Sequence, residues 1–165
     1  MAKNSRNVSI VPFEARFAAD FERLNVEWLE RFFRVESIDA KVLGDPQTHI
    51  LSNGGAILMA LREGDAVGTC ALKVYQPGRI ELTKMAVTRS AQGDGIGRAL
   101  VEAAVERFRK MQAQALFLES HSSLAPALHL YESVGFVHAP RPFKSDYQRS
   151  DVYMEWRGPA RRDKP

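Results

Sequence analysis

The feature that most constrains the fold is a glycine-rich run between an apolar segment and an amphipathic one. Gln92–Gly97 has the sequence Gln-Gly-Asp-Gly-Ile-Gly, so little side-chain bulk covers its backbone. It follows the strand-like Glu81–Val87 and precedes the helix-like Arg98–Met111. The first amides of a helix have no partner within the helix and lie at the positive end of its dipole, where phosphate binds readily. The run therefore predicts a turn that holds a phosphorylated cofactor.

Two well-known phosphate-binding patterns do not fit this spacing. A dinucleotide fingerprint needs a third glycine where the chain has Arg98, and the sequence has no Gly-Lys-Ser/Thr of a nucleotide P-loop. The run does fit the pattern Gln/Arg-x-x-Gly-x-Gly/Ala. By itself it is equally compatible with an ordinary strand-to-helix turn, because glycine is common in turns.

Length and composition predict one globular domain over residues 1–156. The chain has 165 residues, of which 45% are hydrophobic and 26% charged. No apolar run approaches the length of a membrane span, and the first residues lack the apolar core of a signal peptide. The single cysteine, Cys70, cannot form an internal disulfide and lies in a strand-like segment, where we expect it to be buried. These features predict a cytoplasmic protein that does not bind membranes.

The net charge of +3 comes from the C-terminal tail, residues 157–165, which holds four basic residues and one acidic residue. The rest of the chain is balanced, and we expect the tail to be frayed. No basic face is interleaved with aromatic residues, so nucleic-acid binding is not expected. No metal site is expected either, because the histidines lack metal-ligand spacing: His49, His121, His129 and His138.

Periodicity predicts the order β-α-α-β-β-β-α-β-α-β-β. A strand covers Val8–Pro12, a long helix begins at Glu14, and a short helix from Ser37 ends at Gly44, before a loop over Gln47–Asn53. The later elements are strands Ala56–Arg62, Ala66–Tyr75 and Arg79–Val87, helix Gly95–Met111, strand Ala115–Glu119, helix Ala125–Val134, and strands Phe136–His138 and Val152–Trp156. This order predicts a layered α/β or α+β fold in which the strands flanking the Gly95–Met111 helix are parallel.

Four motifs occur in the order found in the GNAT superfamily of coenzyme A-dependent N-acetyltransferases, which the chain resembles. They are the strand Ile80–Val87, the glycine run opening a helix, a strand ending Leu118-Glu119-Ser120-His121, and Ala127–Phe136, which is similar to Ala-x-x-Leu-Tyr-x-x-x-Gly-Phe. The resemblance covers roughly a third of the chain. It implies a mixed, mostly antiparallel sheet of about seven strands with helices on both faces, and acetyl-CoA as co-substrate.

The resemblance also implies where the cofactor binds. In such proteins the strands before and after the diphosphate helix splay apart, and the pantetheine arm enters the gap. The main chain of Met85, Ala86 and Val87 is then expected to bind the pantetheine amides and polarise the thioester carbonyl, an oxyanion-type contact. The diphosphate is assigned to Gln92, Gly93, Asp94, Gly95, Ile96, Gly97 and Arg98, although Arg98 is equally compatible with a solvated helix position.

Acetyl transfer to an amine needs one group that removes a proton from the amine and one that protonates the leaving thiolate. Glu81 is the predicted base, because it precedes Val87 at the interval at which histone-acetylating members carry their glutamate. The alternatives are a solvent-facing strand carboxylate at Glu81, Glu119 as the base, or a water chain. Tyr131 matches the signature tyrosine and is the predicted acid, with a packing role as its alternative. His121 is a candidate proton relay.

One position departs from the family pattern, since Leu124 stands where many relatives have a cofactor-contacting asparagine, with Ser122 and Ser123 as candidate replacements. The acceptor pocket is implied between Phe32–Ile38 and Ala139–Arg149, which mix aromatic and charged residues: Phe32, Phe33, Glu36, Phe143, Asp146, Tyr147 and Arg149. We predict acetyl transfer to an amine of a small molecule or peptide, in a protein that is a possible homodimer. The alternatives are a non-catalytic acyl-CoA-binding module and a different acyl chain.

Overall fold

A computed structural model describes residues 7–158, in which helices cover both faces of one seven-stranded sheet. The strands are β1 Val8–Pro12, β2 Ala56–Arg62, β3 Asp65–Gln76, β4 Arg79–Val87, β5 Ala115–Ser120, β6 Phe136–His138 and β7 Val152–Trp156. The α-helices are α1 Ala18–Phe32, α2 Ser37–Gly44, α3 Ile96–Lys110 and α4 Ala125–Val134. Short 3-10 turns cover Ala15–Phe17 and Arg89–Ala91.

The strand order is β1-β2-β3-β4-β5-β7-β6, and every neighbouring pair is antiparallel except β4 and β5. A parallel pair needs a crossover connection, and α3 supplies it between β4 and β5. The predicted element order, the mostly antiparallel sheet and the parallel pair are therefore confirmed. Gly135 ends α4 with φ of 112°, a left-handed conformation that glycine adopts without steric penalty.

One segment differs from the prediction. Gln47–Leu51, predicted as a loop, forms a short π-helical turn closed by a hydrogen bond from Ser52 N to Gln47 O of 2.8 Å. Ile50 in this turn is completely buried, so apolar contact with the core holds a segment whose sequence has no helical periodicity. The predicted loop was wrong for that reason.

Two apolar cores lie on opposite faces of the sheet. One packs under α3 and α4 and includes Leu72, Ile80, Leu100, Leu118 and Met154. The other packs under α1 and α2 and includes Phe17, Phe21, Leu24, Leu43 and Met59. The predicted α1 stripe is buried at its start, but its last member, Phe32, is 42% exposed. Cys70 is buried as predicted, and burial raises the pKa of its thiol to about 12.

The centre of the sheet opens because β4 leaves β5 partway along. Pairing between them is confined to Arg79–Glu81 and Ala115–Phe117. On its other edge β4 carries a bulge, since its register with β3 shifts and places Lys84 and Met85 opposite the single residue Cys70. Lys84 takes φ of 53° there, which is uncommon for a residue with a side chain. The bulge and the parting of the strands together create the fork expected between β4 and β5.

The predicted frayed tail lies outside the described residues, except for Arg157 and Gly158. Arg157 N donates to Gly135 O at 2.9 Å, and its guanidinium pairs with Glu155 at 2.7 Å, so the described start of the tail is held against the sheet. Of the helices between residues 7 and 158, none combines the length and apolarity needed to cross a membrane.

Candidate active site

The fork between β4 and β5 leads into a cavity of about 100 Å³. Side chains from α1, α2, β4, β5, α4 and the segment between β6 and β7 line it. Of the residues predicted to move a proton or to bind the cofactor, the cavity brings together Glu81, Met85, Glu119, His121 and Tyr131. The glycine loop, Gln92–Gly97, is not part of its lining and lies beyond the end of β4.

Glu81 is a buried carboxylic acid with a shifted proton affinity. Only 7% of the residue is exposed, and its strand neighbours are Lys73 on β3 and Phe117 on β5. Burial, reinforced by the charge of Glu119, raises the pKa of Glu81 from 4.5 to about 7. The alternative of a solvent-facing strand carboxylate is therefore wrong. A carboxyl group with this pKa can take up and release a proton near neutral pH.

Glu119 faces the same cavity but is committed to other partners. Its Oε1 lies 3.0 Å from Arg141 Nε and accepts a hydrogen bond from Ser150 Oγ at 3.2 Å. Two neighbouring side chains therefore hold the same oxygen of Glu119. Of the two candidate carboxylates, Glu81 has the environment of a proton acceptor, whereas Glu119 is held by Arg141 and Ser150.

Tyr131 extends from α4 to the cavity from the opposite face of the sheet. Its ring packs on the core beneath α3 and meets the ring of Phe136 edge-on, with 6.0 Å between the ring centroids. Burial and the neighbouring Cys70 raise the pKa of Tyr131 above its ordinary value, so its hydroxyl keeps its proton at neutral pH. Among residues 7–158 this hydroxyl has no hydrogen-bond partner, which leaves it available to a group in the cavity.

A buried group of charges forms the second half of the cavity, and its pairing around Asp39 and Lys84 was not predicted from the sequence. Asp39 on α2 is fully buried and accepts hydrogen bonds from Lys84 Nζ at 2.8 Å and from both terminal nitrogens of Arg149 at 2.7 and 2.9 Å. Arg149 also donates to Glu36 at 2.8 Å, and Lys84 donates to the Tyr147 hydroxyl at 3.1 Å. We refer to these five residues as the Asp39 cluster.

The cluster consists of mutually stabilised ions. Burial opposes ionisation of Asp39, but the hydrogen bonds of Arg149 and the charge of Lys84 prevail and lower its pKa to about 2. Burial lowers the pKa of Lys84, while Asp39 opposes that shift. Three members, Glu36, Tyr147 and Arg149, were predicted as walls of the acceptor pocket. The sequence signals for Lys84 and Asp39 were a lysine inside an apolar strand and a capping pair at the start of α2.

Only some of the residues predicted to wall the acceptor pocket line the cavity. Phe33, Tyr147 and Arg149 line the cavity, whereas Phe32, Phe143 and Asp146 do not. The ring of Phe143 instead stacks on that of Tyr75, with 4.6 Å between the ring centroids. This contact holds the segment between β6 and β7 against the sheet. Sequence reasoning did not assign Trp28 and Leu29 of α1 to the site, although they complete its apolar wall.

The glycine loop presents main-chain groups, since its longer side chains are turned to the protein. Gln92 Oε1 accepts from Arg31 Nη1 at 2.9 Å, and Gln92 Nε2 donates to Val87 O at 3.2 Å. Asp94 Oδ2 accepts from Arg62 Nη2 at 2.9 Å. Gly93 and Gly95 have φ of 83° and 80°, and a Cβ on either would meet nothing within 4 Å. Open amides before a helix are the groups that a diphosphate requires, so the loop fits that ligand.

The first turn of α3 offers fewer side-chain contacts than predicted. Ile96 is buried, and Gly97 packs against Leu130 at 3.4 Å measured from an added Cβ, so only their amides remain for a ligand. Arg98 is about half exposed and bonds Glu102 at 3.3 Å and Ser133 at 2.6 Å. Its guanidinium is thus held at the surface between α3 and α4.

The residues next to Leu124, the position where many relatives have asparagine, also make hydrogen bonds within the protein. Ser122 bonds Asp151 through its amide and hydroxyl at 2.8 and 2.7 Å, and Ser123 Oγ lies 2.7 Å from His121 Nδ1. Leu124 lines the cavity with an apolar surface, and His121 packs edge-on to Phe33 at 5.4 Å. Within residues 7–158, no group of three or more His, Cys, Asp or Glu side chains is arranged to hold a metal ion.

Sequence comparisons find N-acetyltransferases similar to this chain. A mycothiol acetyltransferase of Sanguibacter keddieii is 33% identical over 93 residues, which are 53% of this chain and 30% of that protein. The chain thus spans less than a third of that relative's length. An uncharacterised N-acetyltransferase of Schizosaccharomyces pombe is 29% identical over 140 residues, which are 82% of this chain and 85% of that protein.

Solved structures share the fold. The crystal structure of PaiA N-acetyltransferase from Thermoplasma acidophilum in complex with coenzyme A superposes with a TM-score of 0.71 at 15% identity, over 91% of this chain and 98% of that one. Residues 18–136 match the model of the acetyltransferase (GNAT) family. The chain therefore belongs to the acetyltransferase (GNAT) family.

Proposed function

We propose that this protein transfers the acetyl group of acetyl-CoA to a primary amine by direct attack in a ternary complex. The observation that carries the proposal is the meeting of Glu81 and Tyr131 in one cavity at the fork of β4 and β5. One group has a pKa of about 7 and the other retains its proton well above neutral pH. They are therefore suited to opposite directions of proton transfer.

Glu81 accepts the proton that the ammonium group must lose before it attacks. The amine nitrogen then bonds the acyl carbon, the carbon–sulfur bond breaks, and Tyr131 gives its proton to the departing sulfur. The attacking nitrogen loses its second proton to solvent as the amide forms, solvent returns a proton to Tyr131, and Glu81 releases its own. We assign stabilisation of the oxyanion to the main-chain amides of β4 at Met85 and Ala86, which lie beyond the last pair with β5.

The donor is bound by the open edge of β4 and by the glycine loop. The carbonyl of Val87 is occupied by Gln92, so we assign the pantetheine contacts chiefly to Met85 and Ala86. Amides from Gly93 to Gly97, with Arg98 beside them, hold the diphosphate. The coenzyme A complex of a structural neighbour supports this donor. The lone buried cysteine supports a cytoplasmic location.

The acceptor side of the cavity favours an amine on an apolar stem. Trp28 and Leu29 of α1 and Phe33, which follows that helix, provide its apolar wall. The cations of the cluster, Lys84 and Arg149, are already balanced by Asp39 and Glu36. An acceptor with a carboxylate next to its amine would bring an unbalanced charge toward Glu81, which is unfavourable in a buried site. Small uncharged-stem amines and peptide amino termini fit this description.

An assay of thiol release from acetyl-CoA, run with and without each member of an amine panel, tests the proposal. We expect release that depends on an amine of this class and a product carrying one acetyl group by mass spectrometry. Binding of acetyl-CoA without amine-dependent release for any amine would favour the non-catalytic alternative. Faster thiol release from a longer acyl-CoA than from acetyl-CoA would favour the alternative of a different acyl chain.

A further inference from the structure

Asp94 places a negative charge inside the glycine loop. It lies between Gly93 and Gly95, whose positive φ angles expose the neighbouring amides. A carboxylate at this point has the same sign of charge as the diphosphate assigned to the loop. Unless its charge is offset and its side chain is held away, Asp94 opposes binding of the ligand.

Arg62 does both. This residue ends β2, and its Nη2 donates to Asp94 Oδ2 at 2.9 Å across 32 positions of sequence. The Asp94 side chain is 9% exposed and that of Arg62 is 27% exposed, so the pair is largely shielded from solvent. The carboxylate is thereby turned to β2, away from the open space above Gly93 and Gly95.

The pair is poorly built for stability alone. Arg62 Nε and Asp94 Oδ1 are buried without a hydrogen-bond partner among residues 7–158. A shielded ion pair with one hydrogen bond and two unsatisfied atoms gains little over apolar residues of similar size. Its position at the loop is therefore better explained by an effect on the loop.

We propose that Arg62 is a positioning residue for coenzyme A, acting through Asp94. It offsets the charge of Asp94 and holds that carboxylate away from the loop amides. Gln92 anchors the other end of the same loop to Arg31 and Val87. This inference rests on the proposed function, because it takes the glycine loop as the diphosphate site.

Calorimetric titration of the full chain with coenzyme A tests the inference without any acceptor. We expect Arg62→Met to raise the Kd at least tenfold at low ionic strength, and by less in high salt, since salt screens the repulsion. Adding Asp94→Asn to that variant removes the charge and is expected to restore the Kd to within about twofold of the wild type. Asp94→Asn alone is expected to bind no more weakly than the wild type.

Arg79→Met is the matched control, because Arg79 begins β4 and the glycine loop follows its end. Along the strand Arg79 is roughly 26 Å from Val87, the last residue of β4. This control makes the same change of charge and is expected to leave the Kd within about twofold. Dephospho-coenzyme A keeps the diphosphate but lacks the 3′-phosphate, so it distinguishes an effect on one from an effect on the other. We expect Arg62→Met to raise the Kd of this ligand by the same factor as that of coenzyme A.

Four results would overturn the inference. An unchanged Kd in Arg62→Met would show that the pair does not affect the loop. A double variant as weak as Arg62→Met would show that Arg62 does not act through Asp94, as would a loss confined to coenzyme A with its 3′-phosphate. If Arg62→Met fails to fold, tenfold weaker binding by Asp94→Asn alone would overturn it. Absence of binding by the wild type would instead reject the proposed function itself.

Discussion

Lys84 Nζ donates to Asp39 Oδ1 at 2.8 Å, and this contact ties the bulge of β4 to the start of α2. The two side chains are 5% and 0% exposed. Lys84 also holds a left-handed backbone conformation at the bulge. The contact therefore fixes the point at which β4 bends beside the fork, three positions along the strand from Glu81.

We expect Lys84→Met to change both stability and proton affinity. Loss of Lys84 leaves Asp39 with Arg149 and the Glu36 amide as partners, and removal of one member of a buried pair destabilises proteins by about 3 kcal/mol. The charge of Lys84 also favours ionised Glu81, so the pKa of Glu81 is expected to rise above 7. Chemical denaturation and the pH dependence of activity measure the two effects. Lys41→Met, on the exposed side of α2, is the control and is expected to change neither.

We expect Glu81→Gln to raise the melting temperature relative to the wild type, and to do so more at pH 8 than at pH 5. The folded-state pKa of Glu81 is raised from 4.5 to about 7, so the wild type loses stability as pH rises through this interval. A shift of this size corresponds to a few kcal/mol, on the order of 3. Glutamine does not titrate and avoids the loss. Thermal unfolding at both pH values measures the difference, with the exposed Glu30→Gln as control; an equal gain at both pH values would contradict the raised pKa.

Tyr131→Phe is expected to lower kcat about 100-fold, a typical effect of losing a general acid, with little change in the KM for acetyl-CoA. The phenyl ring retains the packing of α4 on the core, so the fold is expected to persist. Tyr75→Phe is the matched control, because Tyr75 packs in the aromatic stack outside the cavity. Steady-state kinetics distinguish the roles, and an unchanged kcat in Tyr131→Phe would leave this residue with packing alone.

Three acceptors that share one phenyl group test the acceptor class. Phenethylamine has no substituent beside its amine, phenylalaninamide has a neutral one, and phenylalanine has a carboxylate. We expect the first two to exceed phenylalanine about tenfold or more in kcat/KM, because the balanced charges of the Asp39 cluster offer no partner for the carboxylate. Comparable values for phenylalanine would show that a cation of the cavity is available to it.

The sequence predicted most helix and strand bounds because local periodicity decides them. Ala56–Arg62, Ala125–Val134 and Val152–Trp156 have the predicted limits. It also placed Glu81 and Tyr131 in one site, because their motifs fix their positions relative to the β4–β5 fork.

The contacts that shape the site could not be predicted in the same way. Asp39 meets Lys84 across 45 positions and Arg149 across 110, and no local pattern encodes such pairings. The directions of Gln92 and Asp94 depend on Arg31 and Arg62, which lie on other elements. Sequence therefore indicated which residues belong to the loop, but not that their side chains are turned to the protein.

The central claim is that Glu81 removes the proton of the acceptor amine, and the pH dependence of kcat/KM for wild type and Glu81→Gln tests it most directly. The wild type is expected to gain activity with rising pH through an apparent pKa of about 7, because only ionised Glu81 accepts the proton. Glu81→Gln is expected to lose at least about 100-fold and to lack that transition. The same transition in Glu81→Gln, at an undiminished rate, would contradict the account.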